Sequence, residues 1–248
     1  RIGHGRTLFS FFRSVIGVTP IISMGWARFA FFYEFFGLTL KVSSITYKPQ
    51  FLQVSMSSVT RFLLDRASEP RLEAPAPPRD VLEQAFQCAA RAPDHALLRP
   101  WRYLVIEGEA LEALGELFAS ACPETASEQE VEKSRKAPLR APMVIVGIAS
   151  PQHHPKVPEV EQVMSAATGM AFIGLALRDA GYGGMWRTGP VTYHAQVHRG
   201  LGLAEGESIV GFLYTGTVVQ EKPPVPRPET REFVENWQAP GQLASWDE

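Results

Sequence analysis

From residue 57 onward, apolar residues recur at helical spacing in some stretches and run unbroken in others, and the switches between the two patterns mark out the elements. Ser57 or Ser58 can cap a short helix with Val59, Phe62 and Leu63 on one face. The Pro-rich stretch 74–78 reads as a stiff extended connector. Val81, Leu82, Ala85, Phe86 and Ala89 then predict a helix over 80–92, with Cys88 packed among them as a small hydrophobe. Pro93 denies that helix any continuation. Tyr103 to Ile106 predict a strand over 101–107, closed by Gly108. Leu111, Leu114, Leu117 and Phe118 predict a helix over 109–121, and the charged stretch 127–140 an exposed helix stopped near Pro138. Residues 143–149 are apolar throughout, which predicts a strand buried on both faces. The longest helical pattern covers 159–180 and is crowded with Ser, Ala and Gly, so another backbone can approach it closely. A glycine-rich turn over 181–189 passes into a short strand, a helix is predicted over 191–201, and a strand over 209–219. Beyond that, a tail rich in Pro and charge is expected to wrap the surface or fray.

Helices and strands interleave, but the strands are too few for a doubly wound sheet of this length. The pattern predicts an α+β sandwich with one small sheet and helices on its faces. Composition changes the picture only at the front of the chain. Residues 1–55 carry six Lys/Arg and one acid, against 18 and 25 in the remainder, and hold nine of the fifteen phenylalanines. The aromatic run 26–36 has neither helical nor strand period, and charges break it before it reaches membrane-spanning length. Met56-Ser-Ser-Val resembles an ordinary start. The native protein is therefore expected to begin at Met56, with residues 1–55 an upstream, non-domain N-terminal extension, 56–236 the functional domain, and 237–248 a C-terminal tail. The rival for 1–55 is an interfacial membrane anchor. For the domain itself no membrane role is expected. The near balance of 24 basic and 26 acidic residues argues against nucleic acid as a partner, and two cysteines make no disulfide framework, so a reducing, cytoplasmic setting is expected.

The candidate chemistry centres on a corner between the 80–92 helix and the 101–107 strand, Arg91-Ala-Pro-Asp-His95-Ala-Leu-Leu-Arg-Pro-Trp101. Two prolines stiffen it, and it presents guanidinium and imidazole groups where a plain turn would use Gly, Asn or Ser. The nucleophile elbow, the phosphate loop and the dinucleotide fingerprint are absent from the sequence. Asp94-His95 lacks a marked nucleophile, and neither His153-His154 nor His194/His198 has a Cys or Glu beside it to complete a metal site. Three patches remain: Arg66 with Ser68, Arg91 with His95, and Trp186-Arg187-Thr188. Each joins a cation or hydroxyl to a Gly or Pro that fixes the backbone. Together they suit an anionic, planar, phosphorylated ligand; flavin mononucleotide meets the description, as would other nucleotides.

These same residues carry a resemblance. Asp65-Arg-Ala-Ser-Glu-Pro-Arg-Leu, Arg91-Ala-Pro-Asp-His with Pro100-Trp-Arg, and Gly183-Gly-Met-Trp-Arg-Thr-Gly occur in the order found in the FMN-dependent nitroreductase family, closest to its compact bacterial branch. The resemblance implies a small, mainly antiparallel central sheet flanked by helices, in a homodimer with two shared FMN sites. It implies that Arg66 and Ser68 hold the ribityl-phosphate and the pyrimidine side of the flavin. Ala67 stands where the branch often has a second arginine. Arg91 and His95 would reach the same flavin from the partner chain, while Trp186, Arg187 and Thr188 line it from the first. It further implies NAD(P)H as co-substrate, associated with 176–181, and small-molecule acceptors such as nitroaromatics or quinones reduced by a ping-pong route. The flavin carries the chemistry, so neither a catalytic side chain nor a metal is expected. The alternatives are the same flavin site used for dehydrogenating or reductively dehalogenating one metabolite, and a flavin-binding module without catalysis.

Overall fold

The computed structural model describes residues 57–220, 222 and 225–247 and, before residue 57, only the backbone of four short strand segments. The chain divides into two compact units, Arg1–Arg61 and Phe62–Glu248. In the first, β1 (Arg28–Phe29) pairs antiparallel with β4 (Ile45–Thr46), and β2 (Phe32–Phe35) with β3 (Leu38–Lys41). The rest of the expectation for residues 1–55 lies outside the described residues.

The second unit is built on a five-stranded sheet. Its strands are β5 (Leu72–Glu73), β6 (Trp101–Glu107), β7 (Met143–Ala149), β8 (Gly183–Arg187) and β9 (Ser208–Val218). The order is β5-β9-β7-β6, β8 also lies along β9, and every pair is antiparallel. This is the α+β fold that the sequence pattern and the resemblance predict. β7 is central and buried at all seven positions, as its unbroken apolar run requires.

The period of two along β7 divides the core. Val144, Val146 and Ile148 face one cluster with Leu111, Leu114, Phe118, Phe212 and Tyr214. Met143 and Ile145 face the other, with Leu82, Ala85, Ala89, Met170, Ile173, Leu177 and Leu213. The first cluster is closed by α3 (Glu109–Ser120) and α7 (Ala195–Gly200), the second by α2 (Arg79–Ala89) and α5 (Glu159–Asp179). α5 is long and apolar enough to cross a membrane, yet Ala166, Met170, Ile173 and Leu177 bury one face of it in this core. A Cβ on Gly147 would stand 2.5 Å from Met170 Sδ, so the glycine is what lets α5 lie close on the sheet.

Several local expectations are revised. α1 (Ser58–Leu64) buries only part of Phe62, which lies under the Arg178 guanidinium, while Val59 and Leu63 stay exposed. Cys88 is exposed on the outer side of α2. The stretch 127–140 divides into α4 (Glu128–Arg135), opened by a Ser127–Glu130 capping box, and a 3-10 turn, Pro138–Arg140. The predicted 191–201 helix is two, α6 (Pro190–Tyr193) and α7, broken at the extended His194. The His194 imidazole accepts the Gln196 N–H as an N-cap, and His198 Nε2 lies 2.7 Å from the Thr192 carbonyl oxygen. The tail holds an antiparallel hairpin, β10 (Glu235–Ala239) with β11 (Gln242–Ser245), turned at Gly241 with φ +74°.

Candidate functional site

The loop after α1, residues 65–71, is pinned by its backbone. The Glu69 N–H donates to the Gly184 carbonyl at 3.0 Å, and the Arg71 carbonyl accepts the Val219 N–H at 3.2 Å. The loop therefore lies beside the start of β8 and the end of β9. Arg66 is exposed and Ala67 and Ser68 are half-buried. Among the described residues, no side-chain hydrogen bond engages the Arg66 guanidinium or the Ser68 hydroxyl. The tail adds a residue that sequence patterning did not single out: the Arg227 guanidinium donates to the Arg66 carbonyl. Its only sequence setting is a Pro-rich stretch without period, which gave no signal that it returns to this loop.

β8 supplies the next part. Its Gly184 carbonyl points away from β9 toward Glu69. In an antiparallel ladder, residues two apart direct their backbone groups to the same side. The Trp186 N–H and carbonyl are therefore aimed outward along the same edge, and no backbone partner meets them among the described residues. The side chains of the two neighbours diverge. Trp186 pairs in register with Leu213, lies over Gly211 and donates through Nε1 to the Val210 carbonyl at 3.2 Å. Arg187 pairs in register with Phe212 and passes to the opposite face, its guanidinium 5.4 Å from the centre of the Tyr214 ring. Thr188 follows, and Gly189 takes φ +134°, which only glycine adopts readily.

The third part is the Arg91–Trp101 corner, and it is strained. Ala96, Leu97 and Arg99 all have positive φ, at 65°, 56° and 51°. Each such conformation costs about 1–3 kcal/mol in a residue with a Cβ and persists only where the surroundings hold it. Here the Asp94 carboxylate holds it, accepting the Leu98 and Arg99 N–H groups at 3.2 and 2.7 Å. The Ser165 hydroxyl donates to the Pro93 carbonyl at 2.8 Å, and the Gln152 amide to the Leu98 carbonyl at 2.7 Å. His95 Nδ1 sits 2.9 Å from Glu161 Oε2. Both of these side chains are half exposed, so the pair is worth at most about 1 kcal/mol and serves to orient the ring. Arg91 is exposed, and Leu97 at the tip is 75% exposed.

One chain brings two of the three patches together. The Arg66–Ser68 loop and β8 share an edge. The Arg91/His95 corner is fastened to the first turns of α5 through Glu161 and Ser165, whereas the chain entering the Arg66 loop is fastened to its last turn through Arg178, which donates to the Phe62 carbonyl at 3.3 Å. The attachment points are 13 to 17 residues apart, or roughly 20–25 Å along a helix.

A nitroreductase family model matches residues 64–217. The chain is 38% identical over 156 residues to the protein named "Putative NAD(P)H nitroreductase YdjA" of Escherichia coli (strain K12), covering 62% of this chain and 85% of that one. Among solved structures, it resembles a nitroreductase-like family protein from Bacillus cereus with a TM-score of 0.65 at 22% identity, over 75% of this chain and 98% of the other. It also resembles the FMN and NADPH-dependent nitroreductase NfnB from sphigopyxis sp. strain HMH, with a TM-score of 0.56 at 21% identity, over 74% of this chain and all of the other. The family match spans all of β5 to β8 and nearly all of β9, with the corner and the edge just described, and the chain belongs to the nitroreductase family of oxidoreductases.

Proposed function

We propose that the chain is an FMN-dependent oxidoreductase that takes electrons from NAD(P)H and passes them to nitroaromatic, quinone or similar small acceptors by a ping-pong route. The observation that carries this reading is the shared edge of the Arg66 loop and β8. The loop that carries Arg66 and Ser68, with the Arg227 guanidinium bound to its Arg66 carbonyl, lies at one end of a strand whose backbone at Trp186 is unpaired outward. That arrangement suits FMN: charge-assisted donors for a phosphate, then an amide edge that donates to and accepts from a heteroaromatic ring. FMN, when bound there, supplies the hydride and electron transfer. The protein's part is to hold the ring edge, to place positive charge beside it, and to keep water from one face. Arg66 and Ser68 hold the phosphate and pyrimidine side, and the backbone through Trp186, Arg187 and Thr188 lines the ring. Ala67 adds only its backbone.

Arg91 and His95 enter this reading from a second copy of the chain, because within one chain α5 holds them away from the Arg66 loop. The outer face of α5 supports a two-copy assembly: Val160 and Met164 are more than half exposed there, beside the small Ala167 and Ala171. The strained corner with Leu97 at its tip is then a rigid arm reaching across the two-fold axis to the partner's edge. Domain limits of 56–236, with a reducing, cytoplasmic setting, belong to the same proposal.

An absorbance spectrum of the purified protein before and after anaerobic NADH or NADPH tests it. A flavin spectrum bleached by the nucleotide and restored by a nitroaromatic supports the reading. A flavin spectrum that the nucleotide leaves unchanged points to binding without catalysis, and a colourless protein that refuses added FMN overturns the proposal.

A further inference from the structure

Arg187 sends its side chain to the face of the sheet opposite α5, into a cleft that the cofactor reading does not use. This cleft, of about 350 Å³, lies between β8, β9, α4 and the Pro138–Arg140 turn. That volume is in the range of small-molecule sites. Its floor is aromatic: Phe118 and Phe212 meet edge to face at 5.2 Å, with Tyr214 beside them. Its rim is cationic, with Lys133 from α4, Arg140 from the turn and Arg187 from β8. Among the described residues none of these three cations has a carboxylate within 4 Å. The one acid in the lining, Glu130, is engaged by the N–H and hydroxyl of Ser127 in the capping box. The Arg187 Nε is buried without any hydrogen-bond partner, a state that costs free energy unless a ligand relieves it. The Arg140 and Arg187 charges also oppose the rise that burial imposes on the Tyr214 phenol, which places both near its ring.

We propose that this cleft is a second ligand site, one that binds a dianionic oxyanion, namely free phosphate or the phosphate of a small monoester. Three cations against one occupied carboxylate leave about two positive charges uncompensated, which a dianion matches and a monocarboxylate does not. Ser134 and Thr188 on the same rim supply neutral donors. The aromatic floor accepts a short organic tail and excludes water beneath the charges. The site is separate from the Arg66–Arg227 end of the cofactor edge, and Arg187 and Thr188 are the two residues whose backbone belongs to that edge and which also line the cleft.

The test is calorimetric titration of inorganic phosphate and of glycerol 3-phosphate into the full chain kept in excess FMN, at constant ionic strength, with acetate as control. The expected result is saturable binding of both phosphates at one site per chain and none of acetate. Binding should weaken about tenfold or more in Arg140→Gln and in Lys133→Gln, each the loss of one charge-assisted contact, and be unchanged in Arg66→Ala. Both cleft side chains are exposed, and neither replacement is expected to alter folding. Binding of free phosphate but not the ester restricts the ligand to the inorganic ion. Absence of saturable binding overturns the proposal, as does binding that survives both cleft substitutions, or that is lost in Arg66→Ala and so belongs to the cofactor edge.

Discussion

Replacing Arg66 with alanine separates cofactor binding from folding, because the structure gives this side chain nothing to do within its own chain. It is exposed, and among the described residues its guanidinium has no hydrogen-bond or ion-pair partner. Its removal should therefore change unfolding free energy by no more than about 0.5 kcal/mol. Its loss on the ligand side is a charge-assisted hydrogen bond to a phosphate, worth about 1.5–3 kcal/mol, or roughly a 10- to 100-fold rise in the FMN dissociation constant. The backbone carbonyl of residue 66 remains, so Arg227 keeps its attachment and the loop keeps its shape. The measurement is FMN per chain after gel filtration, a fluorescence titration of the flavin-free protein, and thermal unfolding of both flavin-free proteins. Wild type should retain flavin that the variant loses, with melting temperatures within about 2 °C of each other. Equal retention would remove Arg66 from the site. Loss of flavin together with a large fall in the flavin-free melting temperature would show that the arginine supports the fold and would refute the reasoning from exposure.

Three further outcomes are expected. Arg102 on β6 grips Glu207, Nε to Oε1 at 2.7 Å, and the hydrogen bond from Arg102 is the main cause that holds the largely buried Glu207 carboxyl down to about 2. Since the folded value lies below the unfolded one, the gain, about 1.5–3 kcal/mol for a hydrogen bond to a charged group, is present above about pH 4.5 and lost as pH falls toward 2; Glu207→Gln should be less stable than wild type at pH 7 and converge with it near pH 2 in urea titrations. Gly211→Val should push the Trp186 indole off β9, since a Cβ there would stand 2.7 Å from its Cδ1, costing about 1–3 kcal/mol and shifting tryptophan fluorescence. Met164→Glu, on the exposed face of α5, should turn a dimer into a monomer in sedimentation while leaving far-ultraviolet circular dichroism unchanged; an unaltered sedimentation coefficient in a dimeric wild type would move the interface elsewhere.

Which features were legible in the sequence follows from how local their physics is. β7 and α5 are plain in the pattern because burial on two faces demands an unbroken apolar run, and burial on one face of a long helix demands apolar residues three and four apart. The break at His194 was hidden, because an imidazole that caps its own downstream helix leaves the apolar period intact. The two-residue β5 has no period at all and exists only because β9 extends past the end of β7 to meet it. The β10–β11 hairpin had a signal, the Pro240-Gly241 dipeptide, but its short flanks lack a clear run of alternating apolar residues. At the site, Arg66, Ser68, Arg91, His95, Trp186 and Arg187 stood out as residue types held by Gly or Pro. Their expected grouping came from the family resemblance and not from the pattern, because the pattern does not give strand register: the same step of one residue that separates Trp186 from Arg187 in sequence puts their side chains on opposite faces.

That register bears on how the proposed flavin edge would be specified in this chain. If side chains were the main contacts, the alternation along β8 would waste half of them, since only Trp186 faces the α5 side. A strand edge has no such restriction. Outward backbone groups recur at every second residue whatever the side chains are, and the Glu69–Gly184 hydrogen bond fixes which residues those are. The glycines flanking the stretch then serve the backbone: Gly183 and Gly184 let the Arg66 loop and β9 close on the strand, and Gly189 turns the chain away directly after Thr188. On the proposed reading, charge specificity would come from residues outside the strand, at Arg66 and Arg227 in one chain and Arg91 and His95 in the other. The strain in the Arg91–Trp101 corner has a place in this division. On the two-copy reading, a corner that reaches another subunit gains nothing from local flexibility, and the Asp94 carboxylate, by binding the Leu98 and Arg99 N–H groups and so holding Ala96, Leu97 and Arg99 at positive φ, would fix its direction before the partner arrives.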